Sequence, residues 1–287
     1  MKLGKIITYI ILGTATVFPL GIAKPYNDKN KNKEEFQDLY SANTSREDTY
    51  DLDKEKIDAK VRLVMENYIN NAIDGTKRII ANKNKKGYSS AVRKELPGAP
   101  VSQHCLYGQY TQLNRALEQF GDSLQVIPKS SNAHMSTTNF KSAMTKLYNN
   151  NEYANSIHRG RLYNSEKEYN KSLEKFVAQK TYGKQNVSDS LRNVYVSEFE
   201  RKNYCASRLN PGTIIIVNSG HAVLYLGIGK IKNDKFVPDE NGEPVCCAYN
   251  REHPAIYLSC WSTSSSFAAD MQNIITQKYM AQLEKQH

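Results

Sequence analysis

The sequence predicts an α+β protein in which most of the helices precede the strands. The first observation is a long amphipathic segment at 54–83, where apolar residues recur mostly at three- and four-residue steps with charges between them. The second is a β-hairpin formed by 213–217 and 221–228, joined by an Asn-Ser-Gly turn that takes positive φ at little cost. The third is a pair of apolar runs, 245–249 and 255–261, which predict further strands.

Further helices are expected around the hairpin. One begins at Cys105, behind a loop rich in proline and glycine, and ends before Gly121. The periodicity predicts three more at 139–148, 165–180 and 188–204, an all-helical stretch between Cys105 and the hairpin. A final helix is expected over about 267–283, after a serine-rich break.

The N-terminus indicates export. Residues 1–23 have the layout of a secretory signal peptide: two lysines, an apolar run that is short for a membrane span, and small residues at the cleavage position. Residues 24–53 are polar and charged with few apolar side chains, so we expect a flexible leader there. The mature protein is therefore expected to be secreted or periplasmic, with no transmembrane segment once the signal is removed.

The charge balance is basic. The formal net charge is +10, and loss of the signal peptide removes two of the lysines and no acids. A basic exported protein suits an anionic partner such as a cell-wall polymer or lipid headgroups. Charge alone is explained equally well by solubility with no specific partner.

All five cysteines lie in the part of the chain that would be exported, where disulfides persist. An odd number leaves at least one thiol unpaired if pairing is intramolecular, and Cys105 stands far from the others. Cys246 and Cys247 would point to opposite faces of a strand, so they need different partners, with Cys205 and Cys260 as candidates. No Cys-x-x-Cys spacing indicates a zinc site.

Two residues suggest catalytic chemistry. His221 is the first residue of an apolar strand, near an open end that a substrate could reach. Cys105 opens a helix, where the helix dipole and unpaired backbone N–H groups favour a thiolate and can hold an oxyanion. A cysteine hydrolase needs such a nucleophile and base, and a third side chain that orients the imidazole. Asn250 is the preferred third residue and His253 the alternative. The simpler interpretation is a structural histidine and a buried or disulfide-bonded cysteine.

The hairpin carries a family resemblance. The run Pro-Gly-Thr-Ile-Ile-Ile at 211–216, followed by His-Ala-Val-Leu-Tyr-Leu-Gly at 221–227, resembles the hairpin of NlpC-like and CHAP cell-wall hydrolases. In those families the hairpin presents the catalytic histidine, and the nucleophilic cysteine caps an earlier helix, as Cys105 would. Asn250 corresponds to the polar third residue of the CHAP and papain-like variants.

The resemblance implies a papain-like α+β fold, in which the helix that carries the nucleophile packs on a small antiparallel sheet. The catalytic domain would span 91–287, after a separate N-terminal helix at 54–90, and a helical insertion at about 139–204 would shape the substrate groove. The implied function is an exported cysteine amidase or peptidase with Cys105, His221 and Asn250 as the catalytic residues. It would act on peptidoglycan or peptide amide bonds, without metal or organic cofactor, and no nucleic-acid partner is expected.

Two other functions are compatible with the same residues. The first is a papain-like protease or acyltransferase that acts on proteins with identical machinery. The second is a disulfide-stabilised protein without catalysis, which binds wall polymer or a partner protein through its basic, tyrosine-rich surface.

Overall fold

The computed structural model describes residues 46–285 apart from 100–103, 123, 130–131, 185, 219 and 250–251. The expected signal peptide at 1–23 lies outside the described residues, as does the leader up to residue 45. The helix expected from Lys54 begins instead at Arg46, within the expected leader, and continues to Lys86.

The described residues form seven α-helices, and Gly87, at φ 78°, separates the first helix from the second. The helices are α1 (Arg46–Lys86), α2 (Tyr88–Glu95), α3 (His104–Gln119), α4 (Thr137–Tyr148), α5 (Glu166–Thr181), α6 (Asp189–Glu200) and α7 (Met271–Leu283).

Eight strands form one sheet in the order β2-β1-β8-β3-β4-β6-β7, with β5 paired to β4. Because β1 and β2 are parallel while the other pairs are antiparallel, the sheet is mixed and larger than the small antiparallel sheet that we expected. The strands are β1 (Ile157–Tyr163), β2 (Asn203–Cys205), β3 (Ile214–Val217), β4 (His221–Lys232), β5 (Lys235–Pro238), β6 (Glu243–Cys247), β7 (Ile256–Tyr257) and β8 (Ser266–Ala269).

Three strands occupy segments that were expected to be helical or loop. β2 overlaps the end of the helix expected at 188–204, which stops at Glu200. β1 interrupts the expected all-helical stretch at 139–204, and it was missed because its half-exposed residues include a histidine and two arginines instead of alternating apolar side chains. β8 takes the first residues of the expected final helix. Its Ser-Phe-Ala-Ala sequence is too short to show a period, and Asp270, which caps α7, marks the true start of that helix.

The sheet separates two core layers. The side chains of Ala222 and Leu224 pack on the face covered by α1, α3, α4 and α7, whereas Val223 and Tyr225 pack on the opposite face. Every side chain of β3 is fully buried, which contributes roughly 2–3 kcal/mol for each isoleucine. The central position of β3 thus fixes the hairpin that carries His221.

The polypeptide around β3 is tied to the start of α7 by a buried carboxylate. The Asp270 carboxylate accepts hydrogen bonds from the backbone N–H of Asn273 at 3.0 Å and from Asn210 Nδ2 at 2.8 Å. Burial outweighs these bonds and raises the pKa of Asp270 to about 6. Asp270, which follows β8 and caps α7, therefore places a titratable carboxyl group beside the segment that leads into β3.

The raised pKa of Asp270 predicts a pH-dependent stability. Between about pH 4 and pH 6 the folded protein binds more protons at this site than the unfolded chain, so the free energy of unfolding falls as the pH rises. Relative to Asp270→Asn, which keeps a helix-capping side chain, the wild type should lose on the order of 2–3 kcal/mol between pH 4 and pH 7. Urea unfolding of both proteins across this range tests it, and parallel pH profiles would contradict it.

Within the part of the chain that the structure covers, no helix combines the length and the apolar character needed to cross a membrane.

Candidate active site

Cys105 is the second residue of α3, which confirms its expected position at the start of a helix. Its side chain is buried, with 6% of its surface exposed. The backbone N–H groups of Cys105 itself, Leu106 and Ala222 lie near enough to the sulfur to lower its pKa. The first two belong to the opening turn of α3, where N–H groups have no partner within the helix. The third comes from β4.

The geometry of the hairpin explains why Ala222 faces the thiol. Tyr225 donates its N–H to the carbonyl oxygen of Thr213, the residue before β3, at 2.9 Å, and N–H groups alternate in direction along a strand. The N–H of Ala222 therefore points away from β3, toward the side of β6. Pairing with β6 stops at Leu224 opposite Cys247, so the N-terminus of α3 occupies the place where that strand would continue.

Burial dominates the electrostatics of the Cys105 thiol. It raises the pKa of Cys105, and the backbone N–H groups of Ala222, Leu106 and Cys105 lower it by less. We expected the start of the helix to favour a thiolate. The N–H groups do lower the pKa of Cys105, but burial raises it by more. In the resting protein the sulfur is therefore a protonated thiol at neutral pH, and a nearby base would have to remove its proton.

His221 is the first residue of β4 and is partly exposed. Its imidazole packs against the Trp261 indole, with ring centroids 4.9 Å apart and planes inclined at 48°. Trp261 belongs to the core layer of Val223 and Tyr225, which share a strand face with His221 because side chains alternate along a strand. The imidazole thus lies on the Val223 side of β4, and the thiol packs on the Ala222 side.

The structure brings Cys105 to the backbone next to His221, although the two residues are far apart along the chain. The preferred third residue, Asn250, lies outside the described residues. The alternative, His253, has its Nδ1 atom 2.8 Å from Asp234 Oδ1, and both side chains are exposed. The assignment of a third residue stays a prediction.

The sequence did not predict a chain of polar contacts that lies beside the start of α3. The Tyr88 hydroxyl donates to the Tyr249 carbonyl oxygen at 2.8 Å and lies 2.5 Å from His104 Nε2. A hydroxyl has one proton, so His104 must donate from Nε2 in this arrangement. Burial chiefly, and then the negative charge of a Cys105 thiolate, raise the pKa of Tyr88.

Neither Tyr88 nor Trp261 is marked by a motif. Tyr88 opens a short helix after Gly87, and Trp261 is the one tryptophan of the chain, at the end of a run that was expected to be a strand. Within α3, the residue type that indicates a close contact is the glycine at position 108. An added Cβ there would lie 2.6 Å from the ring of Tyr249. This close approach holds α3 against the end of β6.

The structure contains all five cysteines as thiols. Cys246 and Cys247 lie in different core layers, as the strand alternation predicted. Cys247 Sγ lies 3.2 Å from Thr76 Oγ1, and Cys205 Sγ is similarly close to a serine hydroxyl. Cys260 is the exposed thiol. The pairings considered from the sequence are therefore not formed here.

In the described ranges, no three side chains of His, Cys, Asp or Glu come together in a way that could hold a metal ion. Two surface cavities among the described residues are lined by parts of α4, β1 and β8 in one case, and by the β4–β6 region in the other. Neither is lined by Cys105 or His221.

In comparisons with known proteins, no family model, curated protein or solved structure matches this chain.

Proposed function

We propose that this protein is an exported cysteine amidase or peptidase of papain-like architecture, which cleaves amide bonds in peptidoglycan peptides. The observation that carries the proposal is the proximity of Cys105 Sγ to the N–H of Ala222. It joins a cysteine at a helix start to the residue that follows a histidine at a strand start. In the proposed reaction the imidazole of His221 turns from this neighbouring position to within hydrogen-bond reach of the sulfur, which a nucleophile and its base require.

In the proposed reaction, the imidazole of His221 takes the proton from Cys105 Sγ, and the sulfur attacks the carbonyl carbon of the amide. The carbonyl oxygen becomes an oxyanion, which accepts hydrogen bonds from backbone N–H groups at the start of α3. The imidazolium then gives its proton to the departing amine, leaving a thioester on Cys105. Water, deprotonated by the imidazole, hydrolyses the thioester and restores the thiol.

Two features of the site support these roles. The raised pKa of Cys105 means that the proton leaves the sulfur only with help from a base, which is the role assigned to His221. Trp261 packs on one side of the imidazole and limits the directions in which it can turn. The orienting role of Asn250 is part of the proposal through the family resemblance.

A second candidate is a binding protein without catalysis. The 6% exposure of Cys105 and the dominance of burial in its pKa are also what a structural thiol would show. On that interpretation the basic surface would bind an anionic polymer, and the cysteine would only fill space between α3 and β4.

A hydrolysis assay with the full chain separates these functions. To make alkylation report on Cys105, the exposed thiol is first removed as Cys260→Ala. The Cys260→Ala variant should release new amino groups from purified peptidoglycan. Iodoacetamide should abolish this release because it alkylates the proposed nucleophile. Mass spectrometry of the fragments identifies the bond that is cut.

The same assay with casein as substrate covers the alternative enzyme. Cleavage of casein but not peptidoglycan would reassign the site to a protease acting on proteins. Failure to cleave either substrate, together with binding to intact peptidoglycan, would favour the protein without catalysis.

A further inference from the structure

A surface cleft of about 590 Å³ lies between α4 and the β1–β8 strand pair. This volume is in the range of small-molecule sites. We call it the basic cleft because it is lined by three cationic side chains, accompanied by hydroxyl groups and one aromatic ring. The residues that matter here are Lys141, Lys146, Arg159, Ser142, Thr145 and Phe267.

The described residues that line the basic cleft include three cations and no aspartate or glutamate. Among the described residues, no carboxylate lies within ion-pair distance of Lys141, Lys146 or Arg159. Like charges that share a concave surface repel one another, and an anion in the cleft relieves that repulsion.

The cations are positioned from two elements. The guanidinium of Arg159, in β1, donates a hydrogen bond to Thr145 Oγ1 in α4. Lys141 lies one turn before Thr145 on the same side of the helix, and Ser142 and Lys146 are likewise one turn apart. The guanidinium keeps further N–H donors, which form a planar fork suited to oxyanions.

We propose that the basic cleft binds the phosphate group of a phosphate ester. A phosphate monoester carries close to two negative charges at neutral pH and offers three strong acceptor oxygens. These match the lysine ammonium groups, the guanidinium fork and the hydroxyl of Ser142, since charge-assisted hydrogen bonds to phosphate are the strong ones. Phe267 adds an apolar surface for the carbon part of the ester.

The basic cleft lies on the same side of the sheet as the nucleophile. Arg159 pairs with Phe267, Phe267 with Ile216, and Ile216 with Ala222, so one row of residues crosses four strands. Directly paired residues share a face, and Cys105 packs in the layer of Phe267 and Ala222. Three strand spacings separate Arg159 from Ala222, about 14 Å. The cleft is thus distinct from the site around Cys105, and phosphate binding there does not depend on hydrolysis.

Isothermal titration of the full chain tests the proposal with two probes. One is glycerol 1-phosphate, a monoester, and the other is a diester-linked oligomer of glycerol phosphate. We expect saturable binding of at least one probe, at least tenfold weaker in Lys141→Gln/Lys146→Gln/Arg159→Gln. Tighter binding of the monoester would indicate a small phosphorylated compound, and tighter binding of the oligomer a phosphodiester polymer.

A matched control removes three other exposed cations from α5 and α6, as Lys171→Gln/Lys175→Gln/Arg192→Gln. It lowers the net charge equally, so it should bind as the wild type does. Cys105→Ala should also bind normally, because Cys105 does not line the cleft. Equal weakening in the control triple variant would overturn the proposal in favour of unspecific charge, as would the absence of saturable binding of both probes to the wild type.

Discussion

Cys105→Ala is expected to abolish hydrolysis of peptidoglycan, with kcat/KM lower by at least about a thousandfold. The reason is that alanine has no atom that can form the covalent intermediate, whereas the backbone N–H groups around position 105 stay in place. The sulfur is nearly buried, so its loss should also lower the free energy of unfolding by about 1 kcal/mol. Release of amino groups measures the activity, and urea unfolding measures the stability.

Two matched variants separate the chemical effect from the structural one. Cys247→Ala removes another buried thiol, in contact with Thr76, and should cost similar stability without changing the rate. Cys260→Ala removes the exposed thiol and should change neither quantity. If Cys105→Ala cleaved peptidoglycan as fast as these controls, Cys105 would not be the nucleophile.

Gly160→Ala is expected to destabilise the protein by on the order of 3–4 kcal/mol. Gly160 has φ 108°, in the region that favours glycine, and an added Cβ would lie 2.0 Å from the carbonyl oxygen of Lys202. That oxygen accepts the N–H of Arg161 at 2.9 Å, which joins β1 to β2. The backbone on one side must move, and the parallel pair would open.

Gly183→Ala is the control for backbone strain without a clash. Gly183 has φ 73° but no atom within 4 Å of an added Cβ, so the cost should be about 1 kcal/mol. Urea unfolding gives both values, and amide hydrogen exchange at Arg161 should accelerate only in Gly160→Ala. Equal destabilisation by the two variants would mean that the backbone relieves the clash with the Lys202 carbonyl at no cost in the free energy of unfolding.

The elements that the sequence predicted well depend on local patterns. The hairpin of β3 and β4 follows from two apolar runs and a turn in which Asn218 takes φ 49°. The start of α3 at His104 follows from the loop before it and the apolar stripe after it. Each of these signals lies within about ten residues, so no knowledge of distant contacts was needed.

The parts that were missed depend on contacts between distant segments. β1 owes its conformation to pairing with β8 and β2, because Ile157 and Tyr163 are its only strand-favouring residues and no apolar alternation joins them. The polar chain through Tyr88, His104 and the Tyr249 carbonyl joins three segments that no motif connects. A single sequence therefore predicted the helix that begins near Cys105 and the strand that begins at His221, and did not predict the groups packed around them.

The contact of Tyr88 with the site has a practical consequence for where a shortened version of this protein can begin. A fragment that starts at residue 91, the domain boundary suggested by family resemblance, would lack the Tyr88 hydroxyl that joins His104 to the Tyr249 carbonyl. It would also lack Thr76, the polar neighbour of the Cys247 thiol. Expression plasmids for a shortened, stably folded protein should therefore encode the whole of α1.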